Sequence, residues 1–196
     1  MTNFYPSGTL VPAATSTDRL LLRPLTVDHL ALDYDAVMAS REQLNRWSQT
    51  TWPTPDFTLA ENRADLERHQ REHVEGVAFT YTVLEPTQTR CLGCVYINPL
   101  PVSTSDLYAK ENYIARVSFW VRSDELNSGL ESHLLATLRA WFANQWPFAQ
   151  VIYPVSQQNL PQAALFCGAG FVEQASITLA DGRICRVYAE PTQVRE

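Results

Sequence analysis

The sequence predicts an α/β fold in one domain. Three observations carry that prediction: segments of strand-like and helix-like periodicity alternate along the chain, no internal repeat is present, and no second apolar core is set apart. The chain has 196 residues, 45% of them hydrophobic, which is enough to bury one sizeable core. The order of elements reads β-α-α-β-β-β-α-β-α-β-β.

Residues 1–16 carry many Pro, Ser, Thr and Ala residues and read as a flexible N-terminal arm, which leaves 17–196 for the domain. Arg19 to Leu25 reads as a strand stopped by Pro24. Thr26 then opens a helix whose apolar positions Val27, Leu30, Ala31, Tyr34, Val37 and Met38 recur at helical spacing. Arg41 to Pro55, with Trp47 and Trp52, reads as a short helix and a loop. Thr58 and Glu61 stand at capping-box spacing for a helix to about His73. Val77 to Leu84 and Cys91 to Ile97 read as strands joined by a turn. Asn98 to Asn112 is a long polar connection of the kind that is often functional.

Ile114 to Arg122 alternates, with Val117, Phe119 and Val121 on one face and Arg116, Ser118, Trp120 and Arg122 on the other. A helix follows, apolar at Leu130, Leu134, Leu135, Leu138, Trp141 and Phe142. Val151 to Val155 is a short strand. Its Pro154 donates no ladder hydrogen bond and suits a splayed or edge strand. A short helix runs from near Asn159 to before Gly170. Phe171 to Leu179 and Ile184 to Ala189 form a hairpin around Asp181-Gly182.

The formal net charge is −6, which argues against nucleic acid as a partner, since phosphate backbones need a basic face. No stretch of about 18 apolar residues is available to span a membrane. The N-terminus lacks the basic and apolar regions of a signal peptide, so a cytoplasmic location is expected. Cys91 and Cys94 form a C-x-x-C pair. On a regular strand, residues three apart face opposite ways, and no second ligand pair follows, so the cysteines read as structural thiols and no metal site is predicted. Oligomeric state is not legible, and a homodimer is left open.

Three local patterns resemble the GNAT acetyltransferase superfamily, in the branch of the ribosomal-protein N-terminal acetyltransferases. The first is Thr17-Asp18-Arg19-Leu20-Leu21-Leu22-Arg23-Pro24-Leu25. The second is Val117-Ser118-Phe119-Trp120-Val121 ahead of a turn and a leucine-rich helix. The third is Asn159, Leu165, Phe166 and Gly170-Phe171 at the spacing of the family's N-x-x-(A/S)-x-x-L-Y-x-x-x-G-F element. The resemblance implies a mixed, mostly antiparallel sheet with helices on both faces and a splayed fourth and fifth strand. It also implies acetyl-CoA as cosubstrate, held by the backbone of Phe119, Trp120 and Val121, by Asn127, Ser128 and Gly129 at the helix mouth, and by Asn159 and Phe166. A strand running into a helix N-terminus is itself an anion site.

The chain departs from the family pattern in three places. The phosphate loop (Q/R)-x-x-G-x-(G/A) is here Leu126-Asn127-Ser128-Gly129-Leu130-Glu131, which keeps only the glycine. Ser128 and Glu131 have capping-box spacing, so Glu131 is expected to bond back to the Ser128 N–H. Asp124 and Glu125 add negative charge, and Arg122 is the candidate to offset it. Phe166 stands where many members place a proton-donating tyrosine. No carboxylate falls at the family's usual base position, near Ala115. Glu111, Tyr113 and Ser118 remain as catalytic candidates, and His133 is the histidine to test. Three readings follow: an N-acetyltransferase acting on a small-molecule or peptide amine, a family member that keeps the fold and binds without transferring, or an unrelated α/β binding protein.

Overall fold

The computed structural model describes residues 4–100, 113–178 and 182–191. Among them, β1 (Thr15–Ser16), β2 (Leu21–Pro24), β3 (Phe79–Leu84), β4 (Cys91–Asn98), β5 (Ile114–Val121), β6 (Gln150–Ser156), β7 (Val172–Thr178) and β8 (Ile184–Ala189) form one sheet. Its order is β1-β2-β3-β4-β5-β6-β8-β7. Every neighbouring pair is antiparallel except β5–β6. Helices α1 (Leu30–Ala39), α2 (Arg41–Ser48) and α3 (Leu59–Glu75) precede β3. Helix α4 (Leu130–Gln145) joins β5 to β6, the crossover that a parallel pair requires. Helix α5 (Leu160–Gly168) follows β6.

Strand alternation sorts the apolar side chains onto two faces. Val117, Phe119 and Val121 of β5 pack with Leu130, Leu134, Leu138 and Trp141 of α4 and Phe166 of α5. Trp120 points the other way, into a cluster with Leu30 and Val37 of α1, Leu44 of α2 and Leu66 of α3. The mixed sheet with helices on both faces is thus the fold that the sequence predicts.

Local chemistry sets the helix ends. Thr58 and Glu61 form the expected capping box: Glu61 N–H donates to Thr58 Oγ1 at 3.2 Å, and Glu61 Oε2 accepts from the Thr58 N–H at 2.7 Å. Gly76, at φ 70°, closes α3 in the left-handed region. The buried face of α1 differs from expectation. It consists of Leu30, Asp33, Ala36 and Val37, while Ala31 is exposed. Asp33 joins this face because Asn62 of α3 donates to its carboxylate at 2.9 Å.

Two further expectations are corrected. The N-terminal segment is not a loose arm over its described part. Phe4 stacks on Phe79 and Phe148, and Tyr5 meets Phe79, Trp146 and Phe148 edge-on. Thr15 and Ser16 pair with Leu22 and Leu21. Aromatic burial outweighs the local Pro/Ser character. Cys91 and Cys94 also lie on one face rather than two, because the register shifts between Val83 and Leu84, and both join the α1–α3 cluster. A bulge inverts the alternation. Both thiols are free and buried. Among the described residues, no helix is long and apolar enough to cross a membrane.

Candidate functional site

Strands β5 and β6 begin together and then part. Ile114, Ala115 and Arg116 pair with Gln150, Val151 and Ile152, and the ladder ends there. From Ile152 to Ser156, β6 pairs with β8 instead. Pro154 lies beyond the last β5–β6 pair. Val117 to Val121 therefore present an edge to a wedge-shaped gap. Arg122 N–H donates to the Leu92 carbonyl at 2.7 Å, so alternation turns the even residues of β5 toward β4. The N–H and C=O groups of Val117, Phe119 and Val121 face the gap.

Two glutamines reach this edge from opposite sides. Gln162 of α5 donates to the Phe119 carbonyl at 3.1 Å, and Gln43 of α2 donates to the Val121 carbonyl at 3.0 Å. Gln43 Oε1 is buried and has no hydrogen-bond partner among the described residues. Both residues line a cavity of about 340 Å³ whose walls also include Arg46, Trp47, Trp120, Glu131 and Asn159. Trp120 is held in place by its indole N–H, which donates to Tyr96 Oη at 3.2 Å.

One end of the cavity is the mouth of α4. Gly129, at φ 76°, is the N-cap, and that left-handed backbone excludes the predicted capping box. Ser128 N–H goes to the Glu125 carbonyl at 3.0 Å, and Ser128 Oγ accepts from the Leu130 N–H at 3.2 Å. Glu131 instead lines the cavity, where burial raises its carboxyl pKa. Asn127 is exposed in the turn. Asp124 and Glu125 are drawn away to Arg90, at 2.7 and 2.6 Å. Arg122 is tied to Asp35 and Asp124, so it is not the spare cation that the sequence suggested. That place falls to Arg19, whose Nη2 donates to the Ser128 carbonyl at 3.1 Å.

The remaining predicted residues fall in different places. Asn159 caps α5, its Oδ1 accepting from Gln162 N–H at 3.3 Å. Phe166 is buried among Phe119, Tyr153, Phe171 and Tyr188. Ser118 stands opposite Tyr96 in the β4–β5 register, two residues before Trp120. Tyr113, at φ 62°, precedes β5 at the closed end of the wedge, and its carbonyl accepts from Ala149 N–H at 3.0 Å. Glu111 lies outside the described residues. His133 is engaged by Thr17 Oγ1 at 2.8 Å, on the side of α4 facing the N-terminal segment. Gln43, Gln162 and Arg19 went unpredicted as site residues, because each acts on a partner distant in sequence.

Residues 19–172 match the family model described as the acetyltransferase (GNAT) domain. Among solved structures, RimL, a ribosomal L7/L12 alpha-N-protein acetyltransferase in complex with coenzyme A, is similar at a TM-score of 0.71 and 17% identity, over 90% of this chain and 96% of that one. The ribosomal-protein-S5-alanine acetyltransferase from Vibrio fischeri is similar at 0.70 and 12% identity, over 94% and 100% of the two chains. The microcin C7 self-immunity acetyltransferase MccE, in complex with acetyl-CoA and AMP, is similar at 0.71 and 12% identity, over 90% and 94%. At these identities the likeness to the solved structures is one of fold. No curated protein sequence matches the chain.

Proposed function

This chain belongs to the GNAT acetyltransferase family, and from that premise we propose that it transfers the acetyl group of acetyl-CoA to the primary amine of a peptide N-terminus. The observation that carries the proposal is the parting of β5 from β6 after Arg116 and Ile152. It leaves a strand edge whose Val117, Phe119 and Val121 N–H groups face the gap, beside a helix N-terminus. A pantetheine arm can add to such an edge as a strand would, and a pyrophosphate suits the helix mouth. The unpartnered Gln43 Oε1 fits the same ligand, because a buried acceptor calls for a donor and pantetheine carries amide N–H groups.

In the proposed reaction the neutral amine nitrogen attacks the thioester carbonyl carbon. The carbon–sulfur bond breaks, CoA leaves as a thiolate, and the new amide nitrogen loses a proton. The backbone N–H groups of Val117 and Phe119 are suited to hold the oxyanion. Ser118, whose hydroxyl has no hydrogen-bond partner among the described residues, is suited to bind the incoming amine. Phe166 cannot donate, so the thiolate takes its proton from solvent. The peptide acceptor is favoured by the likeness to RimL and to the S5-alanine acetyltransferase, whose names describe enzymes acting on ribosomal proteins. Asn127 and Gly129 are suited to meet the phosphates and Asn159 to meet the arm, whereas the Trp120 backbone, opposite Cys94 in the ladder, is turned to β4 and is not available to it.

The test is incubation with acetyl-CoA and a peptide bearing a free N-terminus, followed by mass spectrometry, beside calorimetric titration of acetyl-CoA. Acetylation of the free peptide but not of an N-terminally blocked copy is expected. Micromolar binding that Gly129→Asp abolishes is expected as well. Absence of binding at millimolar acetyl-CoA would instead favour the non-transferring member of the family.

A further inference from the structure

Within the wedge, one side chain already makes the contacts that a cofactor amide would make. Gln162 is 5% exposed. Its Nε2 donates to the Phe119 carbonyl at 3.1 Å, and its Oε1 accepts from Asn159 Nδ2 at 3.1 Å. The carboxamide thus spans from the edge of β5 to the cap of α5, across the gap. A pantetheine amide is likewise a carbonyl joined to an N–H. Laid along the same edge, it would need the same acceptor on Phe119 and the same donor on Asn159.

Position strengthens the comparison. Phe119 lies between Val121, toward the α4 mouth, and the fork at Arg116. An arm anchored at the mouth must pass Phe119 to bring its thioester to the fork. Gln43 and Gln162 hold carbonyls two residues apart on this edge, but they differ in kind. The oxygen of Gln43 is unpartnered, whereas both ends of Gln162 are taken.

We propose that Gln162 is a latch on the cofactor path: its carboxamide stands in for the pantetheine amide in the free protein, and pantetheine displaces it by taking over Phe119 O and Asn159 Nδ2. This rests on the acetyl-CoA reading given above. Two physical consequences follow. Without a cofactor, the latch satisfies a buried carbonyl that would otherwise be stranded at the end of the β5–β6 ladder. With a cofactor, opening the latch subtracts from affinity, because only the open fraction is competent to bind. Ligands that lack pantetheine never meet the latch.

The test uses the whole protein, with Gln162→Met, which keeps length and helix propensity without a carboxamide, and Gln162→Ala as a second variant. Each is titrated calorimetrically with CoA and with adenosine 3′,5′-bisphosphate, which carries the phosphates but no pantetheine. The expected result is CoA binding about tenfold tighter in both variants, equivalent to about 1.4 kcal/mol, with the bisphosphate unchanged. Equal or weaker CoA binding in folded variants, beside a wild type that binds, overturns the latch alone. An equal gain for both ligands also overturns it, since the effect would then lie outside the pantetheine path. If neither wild type nor variants bind CoA, the acetyltransferase reading falls and the latch falls with it.

Discussion

Arg19 and Ser128, 109 positions apart in sequence, meet at the mouth of α4, where the Arg19 guanidinium donates to the Ser128 carbonyl at 3.1 Å. Its other terminal nitrogen lies 4.0 Å from where a side chain on Gly129 would begin. The guanidinium therefore stands at the N-cap, in a loop whose family pattern has lost its own basic residue. The acidic neighbours Asp124 and Glu125 are held by Arg90, with Arg122 also on Asp124. Among the described residues Arg19 has no carboxylate partner, so its charge is left to act on a phosphate.

Arg19→Ala should weaken CoA binding about tenfold at low ionic strength. The deficit should shrink as salt screens the mouth, with a screening length of about 8 Å at physiological strength. Titration of wild type and variant at two salt concentrations checks this. A deficit insensitive to salt would show that Arg19 shapes the loop rather than supplying charge.

Glu131 works in the opposite direction. Burial raises its carboxyl pKa, and it lines the same cavity, where it has no partner among the described residues to favour the charged form. Bound phosphates would push it up further, so the complex holds more proton than the free protein. The sign follows: CoA affinity falls as pH rises through the carboxyl's range. Like charges about 4 Å apart cost about 4 kcal/mol at an effective dielectric of about 20. Glu131→Gln should therefore bind CoA at least about tenfold tighter near neutral pH and with a flat pH profile. An unchanged slope in the variant would assign the proton uptake elsewhere.

What was legible in the sequence was local. The Thr58–Glu61 capping box and the alternating faces of β5 depend on neighbours a few residues away, and both form as read. The Ser128–Glu131 box had the right spacing, yet Gly129 takes the N-cap in a left-handed backbone, which spacing alone does not encode. The parity of Cys91 and Cys94 failed at a bulge set by β3 and β4 together. The bond from Gln162 to Phe119 spans 43 positions and that from Gln43 to Val121 spans 78. No periodicity reports such pairs, since only the folded sheet brings them together. Asp33 escaped notice because a charged residue is ordinarily assigned to the solvent face.

Asp33 gives a stability prediction. Burial raises its carboxyl pKa to about 6, and the hydrogen bond from Asn62 only partly opposes this. The folded value lies above the unfolded one, so the charged form is the destabilised one. Stability from this group is full below the unfolded value, falls as pH rises through the interval to about 6, and stays low above it. A two-unit shift corresponds to about 3 kcal/mol at most. Asp33→Asn keeps an acceptor for Asn62, so it should be about 1–3 kcal/mol more stable than wild type at neutral pH. That gain should vanish at a pH below the unfolded value of about 3.8. Denaturant unfolding of both proteins at the two pH values measures it, and a gain that persists unchanged in acid would contradict the assignment.

Gly93 controls how closely β4 approaches the floor of the cavity. It adopts φ 155°, opposite Val121, and a Cβ there would stand 2.1 Å from the Trp120 carbonyl oxygen. No flexible side chain can yield at that contact, because the obstacle is backbone. Gly93→Ala must therefore push β5 away from β4 at the residue that floors the groove, and overpacking of this kind costs about 1–3 kcal/mol. Gly168, at the end of α5, has nothing within 4 Å of the corresponding position, so Gly168→Ala should be tolerated and serves as the control. Denaturant unfolding and CoA titration on the two variants should separate them, with Gly93→Ala losing both stability and affinity. Wild-type stability in Gly93→Ala would mean that the two strands lie further apart in solution than this contact requires, and the shape of the wedge would have to be redrawn.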